Sequence, residues 1–386
     1  MAKAAVQKMG VDGDVVFINT CSVTHEAERQ SKQAVRRAIR ENASAKIIVS
    51  GCAVKTSFDY FSNLDGVFKV MTNDEKDSLN NVGIVKDHNQ FFENRARAFI
   101  QIQNGCDHFC SYCIVPIARG KSRSLPLERI LDTVELFDKS GFKELVLSGI
   151  DITSYGKDLA DKIELADVIK AILESYPSQK RIRISSLDPH SISPALFELF
   201  ADENRIMPHF HLSAQSGDNS VLTAMRRRHN RESVIKFCSK LRAKRSDVVF
   251  GCDFIAGFPT ETDEMFLNTV KLIDDAGISM LHVFPFSPRS GTLAAQMIQL
   301  PKDVVLNRAK ILREKAQQAK LKLFHNMQGK IVSGIIEKCE NGISYGKTDS
   351  FISFSIKKPL STNEIASNML ITGYTENELV LWSDVP

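Results

Sequence analysis

The chain has 386 residues, 43% of them apolar and 25% charged, and a formal net charge of +4. That length implies two or three domains, and the composition excludes a disordered chain, a collagen and a disulfide-stapled miniprotein. The charge is too small to prove a polyanionic partner. No apolar run is long enough to span a membrane, Met1–Gly10 lacks the apolar stretch of a signal peptide, and the eight cysteines without an export signal point to a reducing cytoplasm.

Residues 1–92 carry an α/β pattern. A helical stretch, Ala2–Met9, comes first with no strand before it. Asp14–Asn19 and Lys46–Ser50 then read as strands, with Glu26–Arg40 as the helix between them. From 93 to 323 strand and helix alternate. The strands are Ala98–Gln103, Glu144–Ser148, Arg181–Ser185, His209–Ser213, Val248–Phe254 and Leu281–Phe286, and Leu127–Ser140 and Asp263–Ala276 are the clearest amphipathic helices. Alternation of this kind predicts a parallel sheet with helical crossovers. Lys302–Leu323 predicts a charged helix leading to residues 324–386. Short β segments there, with turn signals at Asn341-Gly342, Tyr345-Gly346 and Thr372-Gly373, predict a small closed β-barrel.

Each core strand runs into polar residues and glycines, and in a barrel-like parallel sheet that end holds ligands. The first runs into Cys106, Cys110 and Cys113, spaced Cys-x3-Cys-x2-Cys. Structural zinc takes four ligands and this loop offers three; three thiolates instead hold a four-iron, four-sulfur (4Fe-4S) cluster with one iron open. Cys238, Cys252 and Cys339 carry no motif and are expected to pack as small hydrophobes.

Gly105–Gly120 (GCDHFCSYCIVPIARG) resembles the signature of radical S-adenosylmethionine (SAM) enzymes, and more narrowly that of the methylthiotransferases that modify tRNA or a ribosomal protein. The resemblance covers nearly the whole chain. It implies an N-terminal α/β methylthiotransferase domain over 1–92, a partial (β/α)6 radical-SAM barrel over 93–323 and a TRAM-like RNA-binding β-barrel over 324–386. It also implies a 4Fe-4S cluster on Cys106, Cys110 and Cys113, at which SAM is cleaved to methionine and a 5′-deoxyadenosyl radical. Tyr112, Ser148, Gly149, Asp151, Ser185, Ser186, Gln215, Ile255 and Gly257 match the family's SAM-contacting positions. Cys21 and Cys52 match two of the three cysteines of a second cluster, which handles the inserted sulfur. The family's earlier strand and its cysteine are missing, so the chain reads as truncated at its N-terminus and the second cluster as incomplete.

Ala118–Ser124 (ARGKSRS), His211-Leu212-Ser213 and Met225–His229 resemble the threonylcarbamoyl-adenosine (MtaB-type) group of the family, and Gln215-Ser216 stands where the ribosomal-protein enzymes carry Gln-His. The implied activity converts N6-threonylcarbamoyladenosine at tRNA position 37 to its 2-methylthio derivative. The alternatives are an isopentenyladenosine-37 methylthiotransferase, and a truncated tRNA-binding remnant that cleaves SAM without inserting sulfur. Arg119, Arg123, Arg226, Arg227, Arg289 and Lys347 are the candidate substrate and tRNA contacts. From Phe324 to Pro386 five lysines and no arginine face seven acids, so most of the positive charge for RNA is expected elsewhere. The expected partners are the tRNA anticodon loop, a reductase or flavodoxin as electron donor, and a sulfur source; a monomer is expected.

Overall fold

The computed structural model describes residues 12–76 and 95–382; the helix expected at Ala2–Met9 lies outside them. The described residues form two compact units. The first gathers residues 12–76 with Gly105–Ser122 and Ser287–Met297, and the second holds residues 95–104, Arg123–Phe286 and 298–382.

In the first unit, β1 (Val15–Thr20), β2 (Lys46–Gly51) and β3 (Val67–Met71) form a parallel sheet in the order 1-2-3. The helix His25–Glu41 crosses from β1 to β2. Thr24 caps it by accepting from the Ala27 N–H at 3.0 Å, and Glu26 and Glu28 in its first turn suit the positive end of the dipole. Its buried residue Val35 packs with Ile47, Val49, Ala53, Val54 and Phe61. β3 was not legible in the sequence, because Phe68 and Lys69 both face solvent and break the alternation that marks a strand.

In the second unit, β4 (Ala98–Gln101) is followed by a short antiparallel pair, β5 (Gln103–Asn104) and β6 (Arg123–Ser124). Then come β7 (Glu144–Ser148), β8 (Arg181–Ile184), β9 (His209–Gln215), β10 (Val249–Ala256) and β11 (Ile278–Pro285). The sheets 4-7-8 and 9-10-11 are parallel throughout, and the bridges Ile182↔Ile206 and Leu187↔Leu212 join them. All six expected core strands are present. Their apolar residues, among them Ile100, Leu147, Ile182, Leu212 and Phe254, pack under helix residues such as Val134, Ile169, Phe200, Leu241 and Leu272.

The helix Lys302–Met327 leads into a closed barrel of β12 (Ile331–Glu340), β13 (Ile343–Thr348), β14 (Ser353–Ile356), β15 (Ile365–Tyr374) and β16 (Leu379–Trp382), in the order 12-13-14-16-15. Asn341 and Gly342 both take positive φ, 52° and 77°, as a two-residue hairpin turn requires. The other two turn signals are corrected. Tyr345-Gly346 lies inside β13, with Gly346 opposite Phe354, and Thr372-Gly373 lies inside β15 beside a register irregularity. A glycine within a strand marks a bulge or a close approach as readily as a turn.

The parallel strands meet the C-terminal barrel through buried charge. Glu144, fully buried, accepts from Arg97 Nε at 2.6 Å and from Arg181 and Arg183 Nε at 2.8 Å each. Arg97 also pairs with Glu337 and Arg181 with Asp349, both acids belonging to the C-terminal barrel. Phe351 closes the junction. Its ring lies 4.7 Å from the Arg183 guanidinium and 5.3 Å from the stacked ring of His209.

Candidate active site

The cysteine loop of the first unit is built around a glycine. Gly105 has φ 75°, and a Cβ there would stand 1.9 Å from the Lys121 carbonyl oxygen, so no other residue fits. The loop closes on itself when the Cys106 N–H donates to the Gly120 carbonyl at 3.2 Å, and the Cys113 N–H bonds the Cys110 carbonyl at 3.0 Å. Cys106, Cys110 and Cys113 are all partly exposed. Three soft, accessible thiols on one short loop fit an iron–sulfur cluster with one open iron. Tyr112 is half-buried among them in the chain, and the buried Ser111 beside it accepts from the Ala294 N–H at 2.7 Å through its carbonyl.

The helix Val115–Arg119, which leaves this loop, packs on the helix Cys52–Thr56. Arg119 Nε donates to Cys52 Sγ at 3.0 Å. Cys52 is buried and follows β2; Cys21 is exposed and follows β1. The adjacent ends Thr20 and Gly51 are in register, so both thiols stand at one edge of the sheet.

In the second unit the strand ends gather at one edge as well. Ser148 ends β7 and Gly149 follows it, Ser185 and Ser186 follow β8, Gln215 ends β9, and Ile255 lies at the end of β10 with Gly257 just after it. The Gly149 N–H donates to Ser185 Oγ at 3.3 Å, and the Asp151 N–H to Gln103 Oε1 at 2.8 Å. The Gly257 N–H donates at 2.8 Å to Glu261 Oε2, which also accepts from Arg308 at 2.9 Å. Ile255 is buried, while Ser186 and Gln215 stay partly open.

The expected substrate and tRNA residues separate into two groups. Arg123 and Arg226 are exposed. Arg227 has a buried side chain and binds Asp188 at 3.1 Å and the Ser213 carbonyl at 2.7 Å. Arg289 is buried and paired with Glu28, and Lys347 is half-buried with its Nζ on Ser353 Oγ at 2.8 Å. Arg119, on a sulfur, joins Arg227, Arg289 and Lys347 as cations that bind groups of the chain itself. Sequence alone could not single out Arg227 and Arg289, since the acids they meet, Asp188 and Glu28, are distant in the chain. Cys238 and Cys252 pack in the core as expected, and burial pushes the Cys238 thiol up to about 12. Cys339 is exposed instead, on the outer face of β12.

One cluster was missed. Asp253 Oδ1 accepts from His211 Nε2 at 2.8 Å and from His282 Nδ1 at 3.2 Å. Burial opposes the Asp253 charge, but the two histidines hold its carboxyl down at about 2, and the hydrogen bond that His282 donates to Asp253 raises His282 above its ordinary value. The signals were single polar residues inside apolar strands, His282 in Leu281–Phe286 and Asp253 in Val248–Phe254.

Two family models match the chain: the radical SAM superfamily over residues 100–273, and Uncharacterized protein family UPF0004 over residues 2–72. A relative from Rickettsia prowazekii, named threonylcarbamoyladenosine tRNA methylthiotransferase MtaB, is 45% identical over 96% of this chain and 91% of its own length. The chain belongs to the MtaB family of radical SAM tRNA methylthiotransferases. The MtaB of Bacillus subtilis is 32% identical over 95% of this chain and 87% of its own. A tRNA-2-methylthio-N(6)-dimethylallyladenosine synthase from Petrotoga mobilis is 34% identical over 78% of this chain and 74% of its own. Among solved structures, the radical SAM methyltransferase TsrM from Kitasatospora setae shares the fold, with a TM-score of 0.53 at 13% identity over 74% of this chain and 66% of that one. As an MtaB-family member the chain is an enzyme that transfers a sulfur-containing group, and a 4Fe-4S cluster and SAM follow from the superfamily. Among the described residues no helix is long and apolar enough to cross a membrane.

Proposed function

We propose that this chain converts N6-threonylcarbamoyladenosine at position 37 of tRNA to its 2-methylthio derivative. The observation that carries the reading is identity of 45% along 96% of the chain to a relative named for that substrate, against 34% for one named for the dimethylallyl substrate. Cys106, Cys110 and Cys113 would hold the 4Fe-4S cluster, which when bound supplies the electron that splits SAM into methionine and a 5′-deoxyadenosyl radical. The role of the chain's own residues is to bind and orient. Tyr112, Ser148, Gly149, Asp151, Ser185, Ser186, Gln215, Ile255 and Gly257 are the proposed SAM contacts. Cys21 and Cys52 are proposed to contribute to a second cluster, with Arg119 steadying Cys52 from outside the ligand set.

The closed C-terminal barrel is proposed to be the TRAM-like RNA-binding part. Its lysines are outnumbered by its acids, so phosphate contacts fall to exposed cations such as Arg123 and Arg226. The domain borders 1–92, 93–323 and 324–386, the cytoplasmic location, the monomeric state, the external reductase or flavodoxin and the sulfur source all belong to this proposal.

The test is the anaerobically reconstituted chain with SAM, a reductant and tRNA carrying either threonylcarbamoyl- or dimethylallyl-adenosine, read by nucleoside mass spectrometry. A 2-methylthio product from the first tRNA alone is expected. Product from the second alone overturns the reading, and SAM cleavage with product from neither identifies a remnant that does not insert sulfur.

A further inference from the structure

On the sheet of β9, β10 and β11, Phe210, Leu212, Phe250, Cys252, Phe254 and Val283 turn toward the helical core. The alternating residues His211, Asp253, His282 and Phe284 therefore share the opposite face. The cluster there is tightly set. The His211 and His282 rings lie 4.8 Å apart with Asp253 bonded to both. Gly251 makes the room, since a Cβ at that position would stand 2.5 Å from His211 Nδ1. The His282 side chain is 66% exposed. Because its Nδ1 is turned to Asp253, its Nε2 leaves from the opposite edge of the ring. Asp253 fixes that orientation by accepting from Nδ1, and its hydrogen bond favours the charged imidazolium, the form in which Nε2 is a donor. Phe284 lies edge-on to His282 at 6.5 Å between centroids and is itself 39% exposed. The face thus joins an oriented, exposed imidazole edge to an open aromatic ring.

We propose that His282 reads the substrate, donating from Nε2 to the carboxylate of the amino-acid group on the target adenosine, while Asp253 and His211 act as positioning residues and Phe284 packs against the base. This rests on the reading of the substrate as threonylcarbamoyladenosine. That group ends in a carboxylate and a hydroxyl, whereas dimethylallyl is a hydrocarbon. A carboxylate gains a charge-assisted hydrogen bond from His282. A hydrocarbon would dry the same polar cluster without compensating it. Attraction to one substituent and a desolvation cost against the other together give selectivity.

The test measures kcat/KM on an anticodon stem-loop RNA carrying threonylcarbamoyladenosine and on the same RNA with the carboxylate capped as its methyl ester. The wild type is expected to prefer the free acid roughly ten- to hundredfold, chiefly through KM. His282→Ala should bring that ratio close to one. His282→Gln, which keeps a neutral donor, should retain a small part of the preference, and Asp253→Asn should fall between. Each ratio is taken within one preparation, so it does not depend on the folded or cluster-loaded fraction. Equal use of both RNAs by the wild type, or a full preference surviving in His282→Ala, overturns the proposal and leaves the substrate reading standing. Product from neither RNA overturns the substrate reading and the proposal with it.

Discussion

Arg119 Nε lies 3.0 Å from Cys52 Sγ, so a residue just beyond the cysteine loop donates to a buried thiol at the end of β2. A guanidinium beside a sulfur presents its donors in a fixed planar geometry. Cys52 is proposed as a cluster ligand, and removing such a donor from a ligating thiol costs roughly ten- to hundredfold in affinity or activity. Arg119→Ala is expected to lower iron content and 2-methylthio product by that order, with Arg119→Lys recovering part of it. The loss should fall on sulfur insertion more than on 5′-deoxyadenosine formation. Equal loss of both would contradict a role through Cys52.

Glu144 ties three arginines, one just before β4 and two on β8, to one carboxylate. Burial works against its charge, but Arg183, Arg97 and Arg181 outweigh it and hold the carboxyl at about 2, below the ordinary 4.5. A carboxyl depressed on folding contributes stability that is present above about 4.5 and is lost as the pH falls toward 2. Glu144→Ala leaves three buried cations without their shared acid and should cost about 3–5 kcal/mol in urea unfolding. The wild type should also lose Tm more steeply on acidification than Glu144→Gln does. Parallel pH profiles for the two would refute the assignment.

Arg289 is expected to matter for stability, not for RNA affinity. Its guanidinium is buried against Glu28. Burial opposes the Glu28 charge, yet Lys32, Arg289 and Ser57 hold that carboxyl at about 2. Arg289→Ala should destabilise by about 1–3 kcal/mol and leave the tRNA Kd within about twofold. A large rise in Kd at an unchanged Tm would restore the substrate-contact reading.

The parallel core was legible because each strand is an apolar run bounded by glycines and polar residues, as in Glu144–Ser148, whose bounds agree residue for residue. β3 was not, since its adjacent residues Phe68 and Lys69 are both exposed and break the alternation. The cysteine loop could be read from spacing, because three thiols on one short segment need no tertiary information. The His211–Asp253–His282 cluster needs register. Its members lie on three different strands, and only the pairing of Asp253 with His282 and of Gly251 with His211 brings them together. Arg227 and Arg289 failed for the same reason, since whether an arginine meets RNA or a buried acid is decided by distant parts of the chain.

The thiols should separate by burial. Cys21 and Cys339 are exposed, whereas Cys238 and Cys252 are fully buried and burial raises both, Cys238 to about 12. Iodoacetamide at mildly alkaline pH is expected to label Cys339 in the native chain, and Cys21 as well when the chain is prepared without clusters. Cys238 and Cys252 should react only after denaturant is added. Peptide mapping by mass spectrometry reads this directly, and native labelling of Cys252 would contradict the packing of β10.

The proposed chemistry is tested most directly by nucleoside mass spectrometry of tRNA from a strain lacking the activity and complemented with this chain or with its Cys110→Ala variant. The 2-methylthio form of threonylcarbamoyladenosine should appear with the wild type and be absent with the variant, both being expressed and folded. Unmodified threonylcarbamoyladenosine in the wild-type strain, or a 2-methylthio group on isopentenyladenosine instead, would contradict it.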